Sequence, residues 1–149
     1  MKSAELYERD ETVWLEEQAR LLKQGQHQRL DLPNLIDFLE SMARRDRRQL
    51  SNRLCQLLVH LLKWQFQSEK RTRSWRSTIN HQRIQVRKLL ESGALRKTAE
   101  EAIPKCFRDA VKLCALETGI KRSMLPKSCP YSLQFLLSDE LPESRNAVK

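Results

Sequence analysis

Apolar residues recur at helical spacing from Leu35 to Phe66, and almost nothing along that stretch lets the chain turn. Leu35, Ile36, Leu39, Met42 and Ala43 are followed by Leu50, Leu54, Leu57, Leu58, Leu61, Leu62 and Phe66. Steps of three and four residues place such a set on one side of a helix. With three glycines and five prolines among 149 residues, breaks elsewhere are also few. The pattern pauses at the polar run Arg44-Arg45-Asp46-Arg47-Arg48-Gln49, where Asp46 with Gln49 three residues on resembles a capping box. Either one helix continues to about Gln67, or two helices meet at a bend near residue 45; the polar run favours the bend.

The remaining punctuation falls between further helical patterns. Asp10 is positioned to cap a helix reaching about Gln24, with Trp14, Leu21 and Leu22 along one face and Gly25 just past its end. Asp31 caps the long pattern, with Pro33 in the first turn, where its missing N–H costs nothing. After a charged connection over Ser68–Ser74, a third pattern runs from about Thr72 to Ser92 and presents Trp75, Ile79, Val86, Leu89 and Leu90, with Gly93 as its stop. A fourth runs from Leu95 to Glu117, with Ala99, Ala102, Ile103, Cys106, Phe107, Ala110, Leu113 and Cys114 inward. Pro104 is expected to kink it, and Gly119 to end it. Pro130 can open a short helix whose Leu133, Leu136 and Leu137 dock back. The expected fold class is therefore all-α, a compact four- to five-helix bundle with a short C-terminal helix. Residues 1–141 are expected to form a single helical domain, with 142–149 as a disordered tail.

Charge is segregated along this framework. Between Arg44 and Lys88 there are thirteen Lys/Arg against two acids, Asp46 and Glu69, whereas residues 1–43 carry five bases and nine acids. Positive charge gathered in one region raises the local density of anions of any kind, so it points to an acidic protein surface, a nucleic acid or an anionic lipid without choosing. A chain of this length buries enough surface to need no metal or disulfide. The four cysteines, Cys55, Cys106, Cys114 and Cys129, form no CxxC pair, and His27, His60 and His81 are scattered, so no metal and no cofactor is expected. No run approaches a membrane span and the N-terminus has no apolar leader, so a soluble cytoplasmic protein without membrane contact is expected.

Several strings, in order, carry a resemblance: Tyr7-Glu-Arg-Asp10 leading to Trp14-Leu-Glu-Glu-Gln-Ala-Arg-Leu-Leu22, then Leu30-Asp-Leu-Pro-Asn-Leu-Ile36, His60-Leu-Leu-Lys-Trp-Gln65, Arg73-Ser-Trp-Arg76, Glu117-Thr-Gly119, and Cys129-Pro130 with Leu141-Pro142-Glu143. The chain resembles the bacterial domain-of-unknown-function 29 family over nearly its whole length. The resemblance implies a small, all-helical, intracellular bacterial protein, and it implies no activity and no catalytic residues. Three positions depart from the family pattern, in which a glycine is common where Ala43 stands, a glutamate where Phe38 stands and a proline where Ser68 stands. Alanine at 43 weakens any break near residue 45.

Three sites compete for a function. His60 and Lys63 lie one turn apart and could do acid–base work, but the segment has almost no carboxylate to complete a catalytic set. Trp64 and Trp75 could stack on single-stranded bases while arginines hold the backbone. Helical phasing instead makes His60, Trp64 and Trp75 a structural seam between the second and third helices. What remains is a candidate interaction surface of Arg44, Arg45, Arg48, Lys70, Arg71, Arg73 and Arg76. Its threat is internal compensation by Glu8, Glu11, Glu16 and Glu17 of the first helix. The expected function is an interaction module engaging an acidic protein partner. Weak, sequence-independent nucleic-acid binding is the alternative, and an enzyme centred on His60 and Lys63 a further one. Oligomeric state is not encoded in any recognisable pattern.

Overall fold

A computed structural model describes residues 2–144. Among them are six α-helices and no strand: α1 (Ser3–Arg9), α2 (Glu11–Lys23), α3 (Leu32–Phe66), α4 (Arg73–Leu89), α5 (Gly93–Thr118) and α6 (Leu133–Leu137). The all-α reading holds. The chain divides into two compact units, Met1–Arg45 and Asp46–Lys149. The long pattern is one unbroken helix rather than two. At 1.5 Å per residue, α3 is roughly 52 Å long. Asp46 and Gln49 sit inside it and cap nothing. Ala43, a strong helix former, offers no break there.

The first unit is organised around Trp14, which is fully buried. Asp10 caps α2 by accepting the Val13 N–H at 3.1 Å, and Gly25, at φ +68°, ends the turn after α2 in the left-handed region that glycine favours. The Trp14 indole N–H donates to the Asp31 carboxylate at 3.0 Å, which also accepts from the Asn34 side chain at 2.8 Å. The Asp31 backbone N–H in turn donates to the Gln18 side chain at 2.8 Å. Tyr7 and Phe38 pack their rings on Trp14 at 4.5 and 6.0 Å, both tilted. Tyr7 belongs to α1, a helix absent from the sequence expectations.

The second unit has one leucine-rich core. Leu50, Leu54, Leu57, Leu58, Leu61 and Leu62 of α3, Ile79 and Val86 of α4, Ala99, Phe107, Ala110 and Cys114 of α5, and Leu136 of α6 are all essentially inaccessible to water. Details differ from expectation at three places. Gly93 does not stop α4: that helix closes at Leu90, and Gly93 opens α5 after Ser92. Leu113 is exposed and Val111 takes its place inside. Ser132, not Pro130, caps α6, its hydroxyl accepting the Phe135 N–H at 3.1 Å. α5 passes through Pro104 as a single helix and ends where Gly119 adopts φ +77°. Pro142, in the segment expected to be a tail, is buried, and residues 145–149 of that segment lie outside the described residues.

Candidate interaction surface

Five of the thirteen central cations have internal employment, and their partners explain why. The Arg83 side chain is 1% exposed on the inner face of α4, in phase with Ile79 and Val86. Its Nε donates to the carbonyl of Leu136 at 3.0 Å and its Nη2 to that of Phe135 at 3.1 Å. One turn on, Arg87 donates to the carbonyl of Leu137 at 2.7 Å and to Asp139 at 2.8 Å. The two guanidinium groups therefore cover three consecutive carbonyls at the end of α6; that of Phe135 also accepts from Ser138, whereas those of Leu136 and Leu137 have no donor within a five-residue helix. The arginines also put positive charge at the helix terminus that favours it. Burial, and then the neighbouring Arg87, push the Arg83 pKa down, while Arg87 holds the Asp139 carboxyl below its usual range. Arginine remains charged at neutral pH all the same.

The other three internal cations line the approach of α3 to α4. Arg71 donates from Nε to the Trp64 carbonyl at 2.9 Å and lays its guanidinium over the Trp64 ring at 4.6 Å. Lys63 pairs with Glu117 of α5 and holds its ammonium 5.5 Å from the Trp75 ring. Arg53 donates to Gln82 at 3.3 Å. Trp64, Trp75 and His60 are half-buried, and the Nδ1–H of His60 can donate to the Gln56 carbonyl of its own helix at 2.9 Å. Tyr131 donates to the buried Gln65 side chain at 2.6 Å. Of the candidate interaction residues, Arg71 thus has its guanidinium held by both the carbonyl and the ring of Trp64.

The remaining candidates face water. Arg44, Arg45, Arg47 and Arg48 are exposed, as is every residue from 42 to 49, so two consecutive turns of α3 present all their sides to solvent. The acids of α1 and α2 do not pair with Arg44 or Arg45 among the described residues: Glu17 pairs with Arg20, and Arg44 lies 3.9 Å from Glu40 on its own helix. An exposed pair of that kind contributes on the order of 0.3–0.5 kcal/mol and leaves the guanidinium free to rearrange. Lys70, Arg73 and Arg76 are exposed at the start of α4, and Arg76 lines an open cavity of 320 Å³ with Asn80, Ile84, Arg87 and Asp139. Sequence reasoning missed Asp139, because a residue more than sixty positions away comes to Arg76 only through the docking of α6.

The cysteines are free, with Cys106 and Cys114 buried and Cys55 and Cys129 half-buried. Burial raises the pKa of all four, that of Cys55 to about 11. Thiols held protonated in this way are poor nucleophiles and poor metal ligands. Among the described residues no cluster of three or more His, Cys, Asp or Glu could hold a metal ion, and no helix is long and apolar enough to cross a membrane.

One family model, described as domain of unknown function DUF29, matches residues 6–141. No curated protein and no solved structure matches the chain.

Proposed function

The chain belongs to the DUF29 family over nearly its whole length, a description that assigns no activity, and we propose that residues 1–141 act as one interaction domain whose outward arginines engage an acidic protein partner. The observation that carries this reading is the sorting of the cations. Arg53, Lys63, Arg71, Arg83 and Arg87 are spent on internal contacts, whereas Arg44, Arg45, Arg47, Arg48, Lys70, Arg73 and Arg76 stand in water with one long ion pair among them. Two turns of helix bared on every side suit insertion between acidic side chains of a partner, where arginine forks meet carboxylates in pairs.

The nucleic-acid alternative has less support. A stacking platform needs aromatic faces open to bases, but one face of Trp64 is taken by Arg71 and Lys63 stands over Trp75. An enzyme centred on His60 and Lys63 has less still, since the lysine is paired with Glu117 and the histidine is bonded to its own helix.

The test is a titration by fluorescence anisotropy of a labelled poly-glutamate peptide and, in parallel, of labelled single-stranded DNA. The expected result is binding of the peptide that weakens with salt and falls about tenfold or more when Arg44, Arg45, Arg47 and Arg48 are all changed to Gln. Peptide binding unaffected by those changes would overturn the reading. Tighter binding of the DNA, with a log–log salt slope of about −0.7 per phosphate contact, would replace it with the alternative.

A further inference from the structure

A second set of cations, outside the central run of the sequence, surrounds a cavity. After Gly119 turns the chain at the end of α5, a single 3-10 turn, Arg122–Met124, packs on that helix and Leu125 tucks into the core at 4% exposure. This return brings Arg122 and Lys127 beside the outward row Lys105, Arg108 and Lys112 of α5. Residues three and seven apart share one face of a helix, so the row extends for roughly 10 Å. Between the row and the returning segment is a cavity of about 600 Å³, bordered by these five cations and one carboxylate, Asp109. All six side chains are exposed. Among the described residues none of the five cations makes an ion pair or a side-chain hydrogen bond.

We propose that this cavity binds a small phosphorylated anion carrying two or more negative charges, of the pyrophosphate class. The volume lies in the range of small-molecule sites. Two arginines supply planar forks for phosphate oxygens, and three lysines add point charges without a competing partner. A docking peptide would gain little here. Its affinity would depend on burying apolar side chains in a central pocket, yet the floor residues Phe107, Val111 and Leu125 are already at most 8% exposed. No open aromatic face is offered to a base. What the site has to give is charge, concentrated at one place.

The experiment is titration calorimetry of the full chain at about 0.1 M salt, a concentration that screens diffuse charge over about 10 Å. The probes are inorganic pyrophosphate, ADP and a hexaglutamate peptide. Pyrophosphate is expected to bind at one site, and the Arg108→Gln/Arg122→Gln double variant is expected to lose about tenfold or more in affinity while melting at the same temperature. Arg73→Gln/Arg76→Gln, which alters the other cations, is expected to bind pyrophosphate as the parent does. Binding of ADP alongside pyrophosphate supports the site, and the tighter of the two names the source of the phosphate. Absence of pyrophosphate binding, equal loss in both double variants, or preference for hexaglutamate would overturn the proposal. These residues are separate from Arg44–Arg48, so the site can fail while the proposed protein-binding surface stands, and the reverse.

Discussion

The two compact units solve the same problem with different materials. Asp46–Lys149 buries a continuous apolar cluster to which four helices contribute, and its leucines on α3 follow one another without a polar intruder. Met1–Arg45 buries Trp14, Gln18 and Leu21, and leaves Val13, Leu22, Leu32, Ile36 and Leu39 between 45 and 63% exposed. Its polar contacts gather instead at Asp31, whose carboxylate accepts from Trp14 and Asn34 and whose N–H donates to Gln18. Apolar burial is proportional to area and indifferent to direction, whereas a polar network fixes geometry but contributes modestly to stability. The C-terminal unit should therefore be the robust one and the N-terminal unit the specified one.

The largest effect tests that robustness. Leu58→Ala empties a fully buried position among Leu54, Leu61 and Leu62, and should cost about 2–5 kcal/mol in chemical denaturation. A smaller loss would mean that the core collapses around the gap. Next comes Arg83→Met, which keeps an unbranched apolar stem but strips the hydrogen bonds from the carbonyls of Phe135 and Leu136. The Leu136 carbonyl then loses its donor, while that of Phe135 keeps the Ser138 N–H and hydroxyl, and the expected cost is about 2 kcal/mol. The informative readout is hydrogen exchange of residues 133–137, which should quicken more than that of α3. Exchange unchanged at α6 would show that apolar docking of Leu136 holds the helix without the arginine.

That second variant also marks where sequence reading stopped. The leucine stripe of α3, the cap at Asp10 and the turns at Gly25 and Gly119 were legible because each depends on neighbours a few residues away. Arg83 was not. It stands at a core position of the series Trp75, Ile79, Val86 and Leu90, and its phase was a usable signal, but a guanidinium there makes sense only once the carbonyls at the end of α6, some fifty residues on, are in place. For the same reason the central charge looked larger than the surface it supplies, since five of its cations turn inward. Conversely, the cations around the α5 cavity went unnoticed. Residues 90–149 hold ten bases and eight acids, and near-balance along the sequence hid a local excess in space. The row Lys105, Arg108 and Lys112 was visible as helical spacing; the contribution of Arg122 and Lys127 needed the turn. Gly93 misled because glycine both ends and begins helices, and Ser92 beside it was the better sign of a start.

The smallest effect bears on the N-terminal unit. Trp14→Phe retains an aromatic ring between Tyr7 and Phe38 and removes the indole N–H that Asp31 accepts. The carboxylate keeps Asn34 as a donor, so it is not orphaned, and the expected loss is about 1–2 kcal/mol, part hydrogen bond and part ring volume. If the polar network specifies the unit, the loss should come with a structural signature: faster exchange at the Asp31 amide, whose bond to Gln18 depends on the same geometry. Asp31→Ala should then produce the same signature more strongly, because it removes the acceptor shared by Trp14 and Asn34. An unaltered Asp31 amide in Trp14→Phe would instead mean that ring packing alone orders the N-terminal unit, and the contrast between the two units would reduce to the amount of apolar surface each one buries.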